Sequence, residues 1–275
     1  MGAIGQAVLI GIAVLLAGSL PRNLFFALNF RYAPGVPWAV PATAAYLWVF
    51  WRYVNGAGPP DSTRQARRAG LRAHPVPGRV WAWSMIAGGL GIAALVLGLR
   101  VANRLVTLHP QRLPDLSGVP PSTVLALLLM AAPVAGVVEE AAFRGYMQGP
   151  IERRLGLPVA ILITGTMFAV AHLDFTLGLW PYYVAVAAIY GTVTSLTGSI
   201  LPAVVLHTAG NIYSNLDLWL HGQAEWQAPS GPAALIWQTG PDASFWIALL
   251  AFALVGAASV GAYVKLARIV PPSVR

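Results

Sequence analysis

The sequence predicts an all-α fold: a polytopic transmembrane helical bundle of about eight spans around an intramembrane polar cavity. Three observations carry that reading. Hydrophobic residues make up 57% of the chain and charged residues only 9%, against about 25% charged in an ordinary soluble domain. Apolar runs of roughly 20 residues, the length that crosses a bilayer, recur along the chain. The few ionisable residues inside those runs are spaced as one face of a helix would place them. A soluble globular domain is excluded by the first two observations. The net charge of +8 does not make a nucleic-acid binder, because most of the basic residues lie at run ends and in loops. There is no cysteine, so disulfides and thiolate metal sites are unavailable.

The runs are residues 4–20, 36–54, 80–99, 122–147, 157–175, 180–197, 199–219 and 243–265. The first lacks the positive leader of a signal peptide, since Arg22 is the first basic residue, and reads as a retained span. Residues 21–32 and 173–180 fit either a kinked or a re-entrant segment. Residues 55–79, rich in Pro, Gly and Arg, read as a flexible loop. So do residues 221–242, with Pro229, Ser230, Gly231 and Pro232. Gly91 and Gly98 in the third run would let neighbouring helices approach closely. The whole chain, 1–275, reads as one membrane domain, with 1–115 as accessory N-terminal spans, 120–215 as the core and 243–265 as the last span. No internal repeat is visible.

Cytoplasmic loops are enriched in Lys and Arg. Arg52, Arg64, Arg67, Arg68, Arg72 and Arg79 therefore place the loop after the second run inside, and an even number of spans puts both termini on the cytoplasmic side. Arg153, Arg154, Lys265, Arg268 and Arg275 agree, and residues 220–242 carry no Lys or Arg. Arg22, Arg31, Arg100, Arg104 and Arg112 count against it. Trp38, Trp48, Trp51, Trp81, Trp83, Trp180 and Trp219 fall near run ends, where aromatic rings meet lipid headgroups. Membrane lipids are thus expected partners. His74, His109, His221 and Asp217 read as ordinary surface or interfacial residues.

A charge at the centre of a spanning helix costs about 2.5–3.5 kcal/mol on insertion scales, so such residues usually face the bundle interior and mark function. The fourth run holds Glu139, Glu140 and Arg144, the fifth His172, the seventh His207 and Asn211. Glu140 and Arg144 are four apart and can pair. Glu139 sits about 100° round the helix, free for general-base work on a water molecule. The same spacing also fits a solvated ion-pair cluster at a helix end. His172 lies one turn after Phe168, and alone it fits a helix-end histidine bonded to a carbonyl. His207 and Asn211 share a face and can donate to one point; alone they fit interhelical hydrogen bonding. Counting from the cytoplasmic side, Glu139, His172 and His207 lie roughly 16, roughly 22 and roughly 12 Å deep, compatible with one cavity.

The stretch EEAAFRG at 139–145 matches the E-E-x-x-x-R signature of the CAAX-protease and bacteriocin-processing (CPBP, or Abi) intramembrane proteases. FAVAH at 168–172 matches their F-x-x-x-H motif, and SILPAVVLHTAGN at 199–211 resembles their third, H-x-x-x-N. The resemblance covers about residues 120–215 and implies a prokaryotic relative of the Ras-converting CAAX endopeptidase, in the cytoplasmic membrane, hydrolysing a peptide bond near the bilayer. Eukaryotic relatives remove the last three residues of prenylated CAAX proteins, so the expected substrate is a lipidated, C-terminal or transmembrane peptide. Carried over, Glu139 would activate water with help from His172. His207 and Asn211 would stabilise the oxyanion, and Glu140 and Arg144 would orient the site. Thr176, with Asp174 nearby, stands where some CAAX-cleaving relatives carry Asn, which weakens the expectation of prenyl specificity. No cofactor is favoured. The alternative is zinc held by Glu139, His172 and His207, since two histidines and a glutamate with an open position form a catalytic zinc set. Two non-protease alternatives are a proton-coupled transporter and a non-catalytic scaffold or immunity protein; no inverted repeat supports the first, and the complete motif set weighs against the second.

Overall fold

The computed structural model describes residues 2–108, 115–172, 178–222 and 234–271. His109, Arg112, Asp174, Thr176, Pro229, Ser230, Gly231, Pro232 and Arg275 lie outside the described residues. Among those described, every ordered element is helical: α1 (Ala3–Tyr32), α2 (Ala39–Val54), α3 (Arg64–Leu71), α4 (Gly78–Leu105), α5 (Pro121–Glu139), a π-helical segment (Glu140–Gln148), α6 (Gly149–Leu155), α7 (Leu157–Ala171), α8 (Trp180–Thr197), α9 (Leu201–His221), α10 (Ile236–Thr239) and α11 (Ala243–Ile269), with a 3-10 turn at Asp61–Thr63.

Each predicted run contains a helix, but the runs are not equal. Four helices are long and apolar enough to cross a membrane by length and composition: α1, α4, the continuous rod Pro121–Leu155 and α11. The other four fall short for physical reasons. α2 and α7 have only 16 and 15 residues. α8, of 18 residues, includes Tyr182, Tyr183, Tyr190, Thr192, Thr194 and Thr197. α9 carries His207, Asn211, Asn215 and Asp217 within its 21. Large apolar side chains nevertheless point outward: Leu9, Leu16, Leu20 and Leu24 on α1, and Ile247, Leu250, Leu254 and Val260 on α11. Meanwhile Glu140, Arg144, Gln148 and Thr194 are fully buried. Apolar outside and polar inside is the arrangement that lipid solvation selects, and the protein is an integral membrane protein.

The segment 21–32 is neither re-entrant nor separate; α1 runs through Pro21 to Tyr32. A proline inside a helix removes one backbone donor and frees the carbonyl four residues back. Here that carbonyl belongs to Ala17, and the Tyr46 hydroxyl of α2 donates to it, so the break is repaired from outside the helix. Asn29 closes the α1–α2 turn, its side chain donating to Ala33 and Val36 and accepting from Ala39 N–H. Pro133 interrupts α5 in the same way, and Asn215 of α9 donates to the Leu128 carbonyl nearby at 2.8 Å.

Residues 55–79 are not a flexible loop. Arg67 is only 7% exposed. It donates to the carbonyls of Tyr53, Ala57 and Gly58 at 2.8, 2.9 and 2.7 Å and lies over the Tyr53 ring. Its charge serves to hold the turn, whatever it adds to orientation. Tyr146 of the π segment donates to the Val54 and Arg67 carbonyls, tying that turn to the core.

Small residues set the helix spacing. A Cβ on Gly91 would sit 3.1 Å from Ile189, one on Gly98 3.1 Å from Phe252, and one on Gly88 2.2 Å from Leu206. α4 therefore packs against α8, α9 and α11 at glycine contacts. At the opposite end Arg104 pairs with Asp242, the cap of α11, at 3.0 Å. The Ser244 hydroxyl and the Phe245 N–H, with Arg104, hold the Asp242 carboxyl down at about 2.

Candidate active site

The rod Pro121–Leu155 carries the acidic pair across a change of helix type. α5 ends at Glu139 and the π segment begins at Glu140. A π-helix bonds i to i+5, is rare, and is frequent at functional sites. Its register turns Glu140 and Arg144 inward together, both with fully buried side chains, while Glu139 stays 18% exposed. Gly145 belongs to this segment for a steric reason. A Cβ there would lie 3.0 and 3.1 Å from the carbonyl oxygens of Gly70 and Leu71.

α9 brings His207 against that pair because Gly136 lets two backbones meet. A side chain on Gly136 would place Cβ 2.1 Å from Thr208 Oγ1 and 2.9 Å from the Val204 carbonyl. His207 Nδ1 lies 2.8 Å from Glu140 Oε1, and its Nε2 lies 3.7 Å from Glu139 Oε2. One imidazole thus stands between two carboxylates. An ionised carboxylate only accepts, so Nδ1 donates to Glu140. The Nε2–Glu139 gap is too long for a direct hydrogen bond and short enough for an atom bonded to both. Tyr190 of α8 stacks on the His207 ring at 4.9 Å and 15°.

Arg144 is compensated by one carboxylate and three ring faces. Its nearest approach to Glu140 Oε1 is 3.1 Å. Its guanidinium carbon lies 5.9, 5.2 and 5.5 Å from the Phe143, Phe168 and Tyr190 ring centroids. In a desolvated site such contacts are worth about 2 kcal/mol or more. Phe168 is the hub. It meets Phe143 edge-on at 5.3 Å, His172 at 4.6 Å and His207 at 6.2 Å.

The sequence-predicted residues divide into two groups. Glu139, Glu140, Arg144 and His207 form one contact network. His172 and Asn211 border it. His172 caps α7, and its Nδ1 donates to the Phe168 carbonyl at 2.8 Å, the bond expected of a helix-end histidine. That bond leaves Nε2 as an acceptor in the neutral ring. The residue is exposed, with Tyr183 at 4.8 Å, and makes no ion pair with either glutamate among the described residues. Asn211 lies one turn beyond His207, half-buried and with no side-chain hydrogen bond among the described residues.

Sequence reasoning does not place Phe143 or Tyr190 at the site. Phe143 and Tyr190 look like ordinary apolar residues, and no spacing rule marks Tyr190.

Residues 121–213 match the family model of type II CAAX prenyl endopeptidase Rce1-like proteins. The match covers 93 of the chain's 275 residues. The family that this model describes is one of endopeptidases. The match spans α5 to the middle of α9, the helices that bear Glu139, Glu140, Arg144, His172, His207 and Asn211. No curated protein and no solved structure matches the chain.

Proposed function

We propose that this protein is an intramembrane endopeptidase in which Glu139 activates a water molecule for attack on a peptide carbonyl. The observation that carries the reading is His207, held by Glu140 through Nδ1 and presenting Nε2 across a 3.7 Å gap to Glu139. A reacting centre seated beside that contact would find a base on one side and a hydrogen-bonding ring on the other.

Water loses a proton to a Glu139 oxygen as its own oxygen bonds to the carbonyl carbon. His172, with Nε2 free, accepts the second water hydrogen and orients the lone pair. The carbonyl oxygen becomes an oxyanion, met by the Asn211 amide and by His207 Nε2. For His207 to donate from Nε2 while Nδ1 donates to Glu140, the ring must carry both protons, and a carboxylate lies on each side of it. Collapse breaks the C–N bond, Glu139 returns its proton to the leaving nitrogen, and the products are a carboxylic acid and an amine. Arg144 balances the charge of Glu140, and Glu140 keeps the ring in place. The substrate would be a peptide that reaches this depth from the bilayer, lipidated or transmembrane.

The zinc alternative meets a geometric objection. Among the described residues no three His, Cys, Asp or Glu side chains group as a metal site, and His172 stands apart from the glutamates. The residues do not fit a resident metal ion, and no step is assigned to one.

Glu139→Gln is expected to abolish peptide cleavage while insertion and thermal stability stay near wild type; retained cleavage would refute the assignment. Activity is also expected to survive prolonged dialysis against a strong chelator. Loss on dialysis with recovery on added zinc would restore the metal reading.

A further inference from the structure

The polar residues of the rod do not stop at Arg144. Glu140, Arg144, Gln148 and Glu152 follow one another at intervals of four, and each meets α8 or α9. Glu140 meets His207 of α9, and Arg144 lies 5.5 Å from the Tyr190 ring centroid. Gln148 donates to the Gly191 carbonyl at 3.0 Å, and Glu152 accepts from the Ser195 hydroxyl. Tyr190, Gly191 and Ser195 all belong to α8. The first two contacts are part of the site described above; the last two play no part in its chemistry.

Gln148 closes the π segment and has no exposed surface. Its amide nitrogen also donates to Glu152 Oε2 at 3.2 Å, and Arg72 stands 3.7 Å from that oxygen. A Cβ on Gly191 would fall 2.7 Å from Gln148 Oε1, so the glycine leaves the amide room to reach the α8 backbone. Gln148 Oε1 itself is buried without a partner. An unpaired buried oxygen costs stability, and a methionine would fill the same space without that cost. Packing alone would be served better by the apolar side chain.

Tyr190 is the neighbour of the clamped Gly191. Its ring lies flat on His207, at 4.9 Å and 15°. The bond from Nδ1 to Glu140 fixes one corner of the imidazole but lets the ring tilt about that bond. A flat ring against its face removes the tilt and keeps Nε2 on the Glu139 side.

We propose that Gln148 is a positioning residue: oriented by Glu152, it clamps α8 to the rod so that Tyr190 braces the His207 ring with Nε2 toward the reacting centre. This rests on the endopeptidase reading and extends it to residues outside the three motifs.

The test uses the full-length protein in neutral detergent. Tyr190→Leu is expected to lower kcat by about 10²-fold with KM little changed, the cost of misplacing a reacting group by about 1 Å. Tyr190→Phe, which keeps the flat face, should recover most of that loss. Gln148→Met should lower kcat by about tenfold while Tm stays at or above the wild-type value; a packing role predicts a fall in Tm instead. NMR of histidine-labelled protein reads the stack without turnover. The His207 signals are assigned by their loss in His207→Gln, and the ring current of Tyr190 should hold them upfield. Tyr190→Leu should release them fully and Gln148→Met in part. Wild-type kcat in Tyr190→Leu overturns the brace. His207 signals unmoved in Gln148→Met, or kcat and Tm falling together there, overturn the clamp. The expected NMR pattern with no peptide cleaved by the wild type would sink the endopeptidase reading and leave the clamp and brace standing.

Discussion

His207 shows why single residues have to be read as a set. In the sequence it is one of two donors, sharing a face with Asn211. In the fold its two nitrogens address two different carboxylates, at 2.8 and 3.7 Å. Donor function at Nε2 therefore depends on Glu140 as well as on the ring. Asn211 has no competing hydrogen bond among the described residues, so its amide is free to meet an oxyanion. Asn211→Ala is expected to lower kcat by about 10²–10³ with KM little changed, as loss of one oxyanion donor does. Steady-state kinetics on a cleavable peptide checks it, and a change confined to KM would assign Asn211 to binding instead. The motif residues are legible in the sequence because charge in an apolar run is costly and conspicuous. Tyr190 and Phe168 are not legible as a cage for Arg144, because an aromatic ring in a membrane helix is ordinary until a guanidinium is seen above it.

At the scale of elements, the site depends on two features that hydropathy does not register. One is the π segment Glu140–Gln148, whose i to i+5 register aims Glu140 and Arg144 inward. The α-helical spacing correctly pairs those two residues but gives no sign of the change in helix type. The other is the glycine contact between α5 and α9. Gly136→Ala is expected to destabilise the protein by about 1–3 kcal/mol, because the new methyl overpacks a closed interface. Adding Thr208→Ala should relieve only part of that, since the Val204 carbonyl remains 2.9 Å from the Cβ position. Thermal unfolding in detergent, with cleavage measured alongside, separates a packing cost from a displaced His207. Unchanged stability in Gly136→Ala would show that the two helices are not locked at this point.

At the scale of the molecule, the expected orientation puts both termini and the α3 region on the cytoplasmic side. The chain has no cysteine, so single cysteines placed at Asp61, Ser244 and Ala258 can be labelled without background. A membrane-impermeant reagent added outside intact cells is expected to label the Ser244 position, at the start of α11, and to leave Asp61 unlabelled. The reverse pattern would invert the topology. Ala258 lies within α11 on its outward face, where lipid would cover it, and a cysteine there should resist the reagent from either side.

What the sequence determined by itself was the solvent the fold must satisfy and the chemistry it carries. Apolar runs of bilayer length dictate helices, and carboxylates, imidazoles and an amide within them demand an interior. Both follow from local rules, the hydrogen-bonding needs of a backbone in lipid and the cost of a buried charge. Only the tertiary structure decided which nitrogen of His207 meets which glutamate, that three rings enclose Arg144, and that α1 packs against Val138. Those facts depend on how closely helices distant in sequence approach, at Gly18 and Gly136, and a one-dimensional pattern contains no measure of that distance.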